Sequence, residues 1–173
     1  LVMNADALLE GGLFEITVGS TAALLSTAEI SASSLTLSGG HWSLHDTASI
    51  TANLEAEVTA LDVDTNSIIS ASNRGYSATE GPGGALSVGS FRSASGGGHG
   101  GAGSMGYNST SQGGSPYGDE FAPDTQGSGG GNGCAGAGAG GTGGGRLRLQ
   151  VTGTLGLAGS ILADGANGAS CLN

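Results

Sequence analysis

The chain has 173 residues and a formal charge of −10, with no lysine and only Arg74, Arg92, Arg146 and Arg148 as basic side chains. That balance excludes the phosphate neutralisation on which nucleic-acid affinity rests, and anionic membrane surfaces are disfavoured for the same reason. Aromatics are only 4% of the residues, too few for a wide core, and no run approaches the roughly 18 apolar residues of a membrane-inserted helix.

Residues 1–72 are built from short alternating runs cut by Gly, Ser, Asn or Asp. Leu13-Phe14-Glu15-Ile16-Thr17-Val18 alternates, as do Leu35-Thr36-Leu37 and Trp42-Ser43-Leu44, and Glu57 to Asp64 keeps the period of two. That period belongs to strands with one buried face. Helical spacing over 5–10 or 54–60 lacks caps and length, so strands explain more of the segment.

Within these runs one phrase recurs: Ile30-Ser31-Ala32-Ser33, Ile50-Thr51-Ala52-Asn53, Ile69-Ser70-Ala71-Ser72 and Ile161-Leu162-Ala163-Asp164. The first three copies lie 20 and 19 residues apart, the length of one solenoid coil. Alternation points each Ile and the following Ala inward and the residue between them outward. A stacking ladder is therefore predicted, with Ile30, Ile50, Ile69 and Ile161 in one row and Ala32, Ala52, Ala71 and Ala163 in another. The polar residue that ends each phrase reads as a turn.

Residues 73–145 hold 27 of the 37 glycines, all three prolines and all three tyrosines. A bare spacer needs no Phe91, Met105, Phe121 or scattered Tyr. Extended glycine segments, having no Cβ, pack as closely as the chains at the axis of collagen; the competing reading is a floppy loop. Residues 146–173 then resume the strand pattern, with Arg146 to Val151, Thr154 to Leu157 and Ser160 to Gly165. The expected fold is all-β: a parallel β-helix (β-solenoid) of about four coils with a long glycine-rich insertion at the turn between coils three and four. Its segments are 1–72, 73–145 and 146–173. Beginning at Leu1 without a signal peptide, the chain reads as a mature or excised piece of something longer.

The order of landmarks is also familiar. After the third Ile phrase come Gly75-Tyr76-Ser77, Gly81-Pro82-Gly83-Gly84 and Gly98-His99-Gly100-Gly101-Ala102-Gly103. Then follow Tyr117-Gly118-Asp119, Gly127-Ser128-Gly129-Gly130-Gly131 and Gly143-Gly144-Gly145-Arg146-Leu147. Over residues 67–168 this resembles the glycine-rich module of large extracellular parallel β-helix proteins. Such modules occur in adhesin-like bacterial proteins and in glycine-rich surface proteins of plants, algae and oomycetes. The resemblance implies a right-handed β-helix in a surface or filament setting, and it supplies no active site.

Candidate chemistry is sparse. His41 and His45 share one strand face but lack a third metal ligand. Asp62 and Asp64 alternate with Leu61 and Val63 and suit a solvated face; an acid/base pair there would have no neighbouring Arg or Lys. Asp119, Glu120 and Asp124 surround Phe121 and Pro123, and a hard-cation site there matches no known calcium-loop spacing. No Gly-Lys-Ser/Thr follows the glycine runs, so they are not phosphate loops, and no cofactor is expected. The acidic, lysine-free, Ser/Thr/Gly-rich composition leans towards secretion, where Cys134 and Cys171 are expected to pair. Such a bridge contributes about 4 kcal/mol in the chain-entropy model. Asn108-Ser109-Thr110 is an N-glycosylation sequon.

The expected function is a non-enzymatic structural module of an extracellular filament, surface hair or adhesin stalk, algal or oomycete flagellar hairs included. Its partners would be other copies or neighbouring modules, joined through open strand edges. The alternative is a glycan-binding surface module using Tyr76, Tyr107 and Tyr117, and less so a polysaccharide-degrading β-helix enzyme using Asp62 and Asp64.

Overall fold

A computed structural model describes residues 1–4, 6–85, 94–106, 112–122, 124–133 and 138–169. Among them all regular structure is strand and none is helix. The chain forms two compact units, Leu1–Ala71 with Leu147–Ala163 and Ser72–Arg146 with Asp164–Asn173.

In the first unit short and long strands alternate. They are β1 (Val2–Met3), β2 (Leu8–Thr17), β3 (Thr21–Leu24), β4 (Glu29–Ser38), β5 (His41–Leu44), β6 (Ser49–Val58) and β7 (Ala60–Val63). β8 (Ile68–Ser70), β9 (Leu147–Val151), β10 (Leu155–Leu157) and β11 (Ser160–Leu162) complete the set. One sheet runs β1-β3-β5-β7-β10 and the other β11-β8-β6-β4-β2, with β9 also on β6. Every strand pairing is parallel. Each sheet is thus the other's crossover, and the parallel sheets stack as a β-solenoid of about three turns. Leu8 pairs with Glu29, Glu29 with Ser49 and Ser49 with Ile68, so successive turns advance 21, 20 and 19 residues.

The core follows from this register. Ala22, Trp42 and Leu61 stack in one row, and Leu24, Leu44 and Val63 in the next. None of the six is more than 2% exposed. Burying a large apolar side chain this fully contributes roughly 1.5–3 kcal/mol. The Trp42 indole N–H donates to the Gly39 carbonyl at 3.2 Å, which removes the cost of burying that polar group. Gly39 (φ 70) and Gly40 (φ 57) make the tight link from β4 to β5, where a Cβ would lie 2.5 Å from Val18 O and 2.7 Å from Ser20 O. The corners after β3, β5 and β7 are β-turns at matching positions, closed by Ala28 N–H to Leu25 O, Ala48 N–H to His45 O and Ser67 N–H to Asp64 O.

Two details differ from the sequence expectation. Ser33 and Asn53 are not turn residues, since β4 and β6 continue through them as ten-residue strands. The β4–β6 register shifts between Ser31 and Ser34, so the long strand bends there without ending. The glycine tract also leaves at a different place. β8 pairs with Ser49–Thr51 of β6 and β9 with Leu54–Val58, so the chain departs at the level of this bend and not at a turn between coils.

The second unit is held by backbone hydrogen bonds between extended segments. Tyr76 N–H donates to Gly127 O, Gly127 N–H to Gly144 O, Gly130 N–H to Gly141 O, and Gly131 N–H to Ser95 O. The 127–131 segment thus bonds three neighbours, within 76–85, within 141–144 and at 95, where a strand in a flat sheet has two. Three-sided bonding suits an extended helix of about three residues per turn, whose carbonyls and N–H groups point in several directions. Such segments approach closely only where Cβ is missing: at Gly114, Gly129 and Gly141 a Cβ would fall 1.8 Å from a neighbouring carbonyl oxygen.

Candidate functional site

The two ends of the solenoid unit are its most distinctive surfaces. Leu9 pairs with Ile30, Ile30 with Ile50, Ile50 with Ile69 and Ile69 with Ile161, so one apolar row runs the length of the stack. Ile30, Ile50 and Ile69 are buried, while Leu9 and Ile161 are only partly so. Ala32, Ala52 and Ala71 are buried as well, and Ala163 is exposed.

At the last rung, Leu155 pairs with Leu61 and Leu157 with Val63. Both partners are 2% exposed, whereas Leu155 and Leu157 are each 50% exposed. These leucines keep the inward position of their row, and among the described residues no further rung lies over them. At the first rung, Met3, Leu9, Phe14 and Ile16 are likewise only partly buried, and the outward Leu8 and Leu13 are exposed. β1 and β2 end their sheets on this side, and β10 and β11 on the other. Among the described residues, each end therefore combines an unpaired backbone edge with an unfinished apolar core.

On the solvent face of β5 and β7 the structure joins residues that the sequence had left separate. His41 Nε2 lies 2.8 Å from Asp62 Oδ2, and His45 Nδ1 lies 3.9 Å from Asp64 Oδ2, with all four side chains about half exposed. The solenoid advance of 19 to 21 residues was the signal that could have found both pairs. Among the described residues no group of three or more His, Cys, Asp or Glu side chains is placed to hold a metal ion.

The Asp64 carboxyl is held below its ordinary value, first by the Thr65 backbone N–H and then by the backbone at Asp46, with His45 adding a smaller attraction. A depressed carboxylate stabilises the fold above its unfolded value of about 4, and that contribution is lost as pH falls through the folded value. Asp64→Asn is accordingly expected to lower the unfolding midpoint modestly at pH 7 and to flatten its acid limb, the two proteins converging as pH falls below about 4. Thermal melts across pH 2–7 read this directly; a parallel downward shift at every pH would contradict it.

In the glycine-rich unit, Asp119 caps its own loop, its Oδ1 accepting from Phe121 N–H at 2.8 Å and Ala122 N–H at 3.1 Å. Glu120 and Asp124 are exposed beside it. Tyr76 and Tyr117 are half-buried, and the Tyr117 hydroxyl donates to Gln126 O and accepts from Ser128 Oγ. Arg148 pairs with Glu55 across β9 and β6. Tyr107, Asn108, Cys134 and Cys171 lie outside the described residues, and with them the sequon and the expected disulfide. No protein-family model, curated protein or solved structure matches this chain.

Proposed function

We propose that the chain is a non-enzymatic structural module of an extracellular filament, surface hair or adhesin stalk that assembles by coil-on-coil stacking. In this reading it is a right-handed β-helix of about four coils, the hand set by the rule for parallel crossovers. β7, β8 and β9 make the fourth pass, and the glycine-rich tract is an insertion into it. No cofactor takes part, and the partners are copies of the chain or neighbouring modules of like cross-section.

The observation that carries the reading is the half-exposure of Leu155 and Leu157 at the end of rows whose interior residues are sealed. A further parallel rung would bury both leucines and pair the free edge of β10 in one step. With a net charge of −10, copies repel at long range, so salt should favour assembly by screening.

Replacing both leucines by aspartate (Leu155→Asp with Leu157→Asp) places two charges where a desolvated contact would form. The native chain is expected to form concentration-dependent linear oligomers in sedimentation velocity and short rods in negative-stain electron microscopy. The double variant should associate about a hundredfold more weakly while keeping its circular dichroism. A native chain that stays monomeric at high concentration and high salt, or rods indifferent to the substitutions, would count against stacking.

A further inference from the structure

The glycine-rich unit carries a concavity that end-to-end stacking of coils does not use. It has a volume of about 580 Å³ and is lined by His99, Tyr117, Asp119, Glu120 and Phe121 with the backbone of neighbouring glycines. We infer that it is a binding site for a neutral saccharide, with the Phe121 ring as its stacking platform. This inference stands independently of whether the solenoid ends assemble.

Three observations lead there. Phe121 is 89% exposed, the most exposed large apolar side chain among the described residues. A lone exposed aromatic on a loop needs no explanation, but this one borders a cavity whose other walls are polar and aromatic.

The walls are also held in place. His99 and Tyr117 meet edge to face with ring centroids 4.8 Å apart. His99 Nε2 lies 3.2 Å from Thr125 O and 3.3 Å from Thr125 Oγ1. The Tyr117 hydroxyl is fixed between Gln126 O and Ser128 Oγ, and Ser128 Oγ accepts in turn from Gly83 N–H at 3.0 Å. Gly118 (φ 90) makes the turn after Tyr117, and Gly100 N–H donates to Tyr117 O at 2.9 Å. A cavity fixed before its ligand arrives loses less entropy on binding.

The chemistry of the walls selects the ligand. An apolar ring presented to solvent takes the C–H face of a pyranose, and carboxylate oxygens beside it accept hydrogen bonds from sugar hydroxyls. With Asp119 and Glu120 at the rim and a chain charge of −10, uronic, sialylated or sulfated sugars would be repelled. Neutral hexose and N-acetylhexosamine units fit best.

The test uses the full chain. A panel of immobilised neutral oligosaccharides, matched uronic and sulfated ones, and a lysine-rich peptide is probed by surface plasmon resonance, with saturation-transfer NMR on the best binder. We expect a neutral saccharide to bind, Phe121→Ala to weaken it about tenfold or more, and Phe121→Trp to retain it. Glu120→Gln should weaken it less, and 0.5 M salt should leave it largely unaffected. Because Phe121 and Glu120 are exposed, these variants keep the fold, which circular dichroism verifies. Absence of any neutral-sugar binding would overturn the inference. So would binding that survives Phe121→Ala, or salt-sensitive capture of the lysine peptide in place of the sugar.

Discussion

Gly129→Ala is expected to disrupt the glycine-rich unit, whereas Gly101→Ala should be almost silent. The two substitutions add the same methyl group to the same kind of segment. At Gly129 the new Cβ would lie 1.8 Å from Ser77 O and 2.5 Å from the Ser77 carbonyl carbon. Neither atom can yield as a side chain would, because both belong to a backbone held by its neighbours. Gly129 N–H donates to Glu80 O, Ala85 N–H donates to Gly129 O, and Thr79 N–H donates to Gly130 O.

Relieving the clash therefore means separating the 127–131 segment from 77–80 and losing several of these bonds together. Overpacking of this kind costs about 3 kcal/mol, and more when hydrogen bonds go with it. At Gly101 the nearest atom to a Cβ is 3.8 Å away, so only the modest effect of alanine on the unfolded chain remains. Amide hydrogen exchange separates the outcomes: Gly129→Ala should strip protection from Tyr76, Gly127, Gly130 and Gly131, and Gly101→Ala should not. Equal protection in both variants would show that close glycine contact does not hold the unit together.

The comparison explains why half of the molecule was legible in the sequence and half was not. The solenoid announces itself because its inward positions carry distinctive side chains at a fixed advance. Ile30, Ile50 and Ile69 recur at almost constant spacing, and each turn has the same alternation. Its bend was misread because Ser33 and Asn53 look like turn residues, and only the long β4–β6 pairing shows the backbone passing through them. The glycine bundle offers no such signal. Its specificity lies in absent side chains, and Gly129, which touches backbone on two sides, reads the same as Gly101, which touches almost nothing. The saccharide candidate was hidden differently. Tyr117 carries the more telling side chain in the sequence, yet its hydroxyl is committed internally, while nothing in the sequence marks Phe121 in the same segment as exposed. The His41–Asp62 pair was within reach of the spacing argument, but only once the advance per turn is applied to polar residues as well as to isoleucines.

The isoleucine row supplies the second large effect and also a gauge of assembly. Ile50→Ala removes a fully buried side chain between Ile30 and Ile69, where rungs on both sides prevent the cavity from closing. About 2–5 kcal/mol should be lost, visible as a lower midpoint in denaturant at unchanged slope. Ile161 stands in the same row but on the last rung, only partly buried. In an isolated molecule Ile161→Ala should cost less than about 1 kcal/mol, because water already reaches the site. If a further rung covers that end, Ile161 becomes an interior residue and its truncation should approach the cost at Ile50. The ratio of the two losses, measured first in dilute solution and then under assembling conditions, thus tests the filament reading by energetics alone. A ratio that stays fixed between the two conditions would mean that the end of the row remains bare, however the particles look under the microscope.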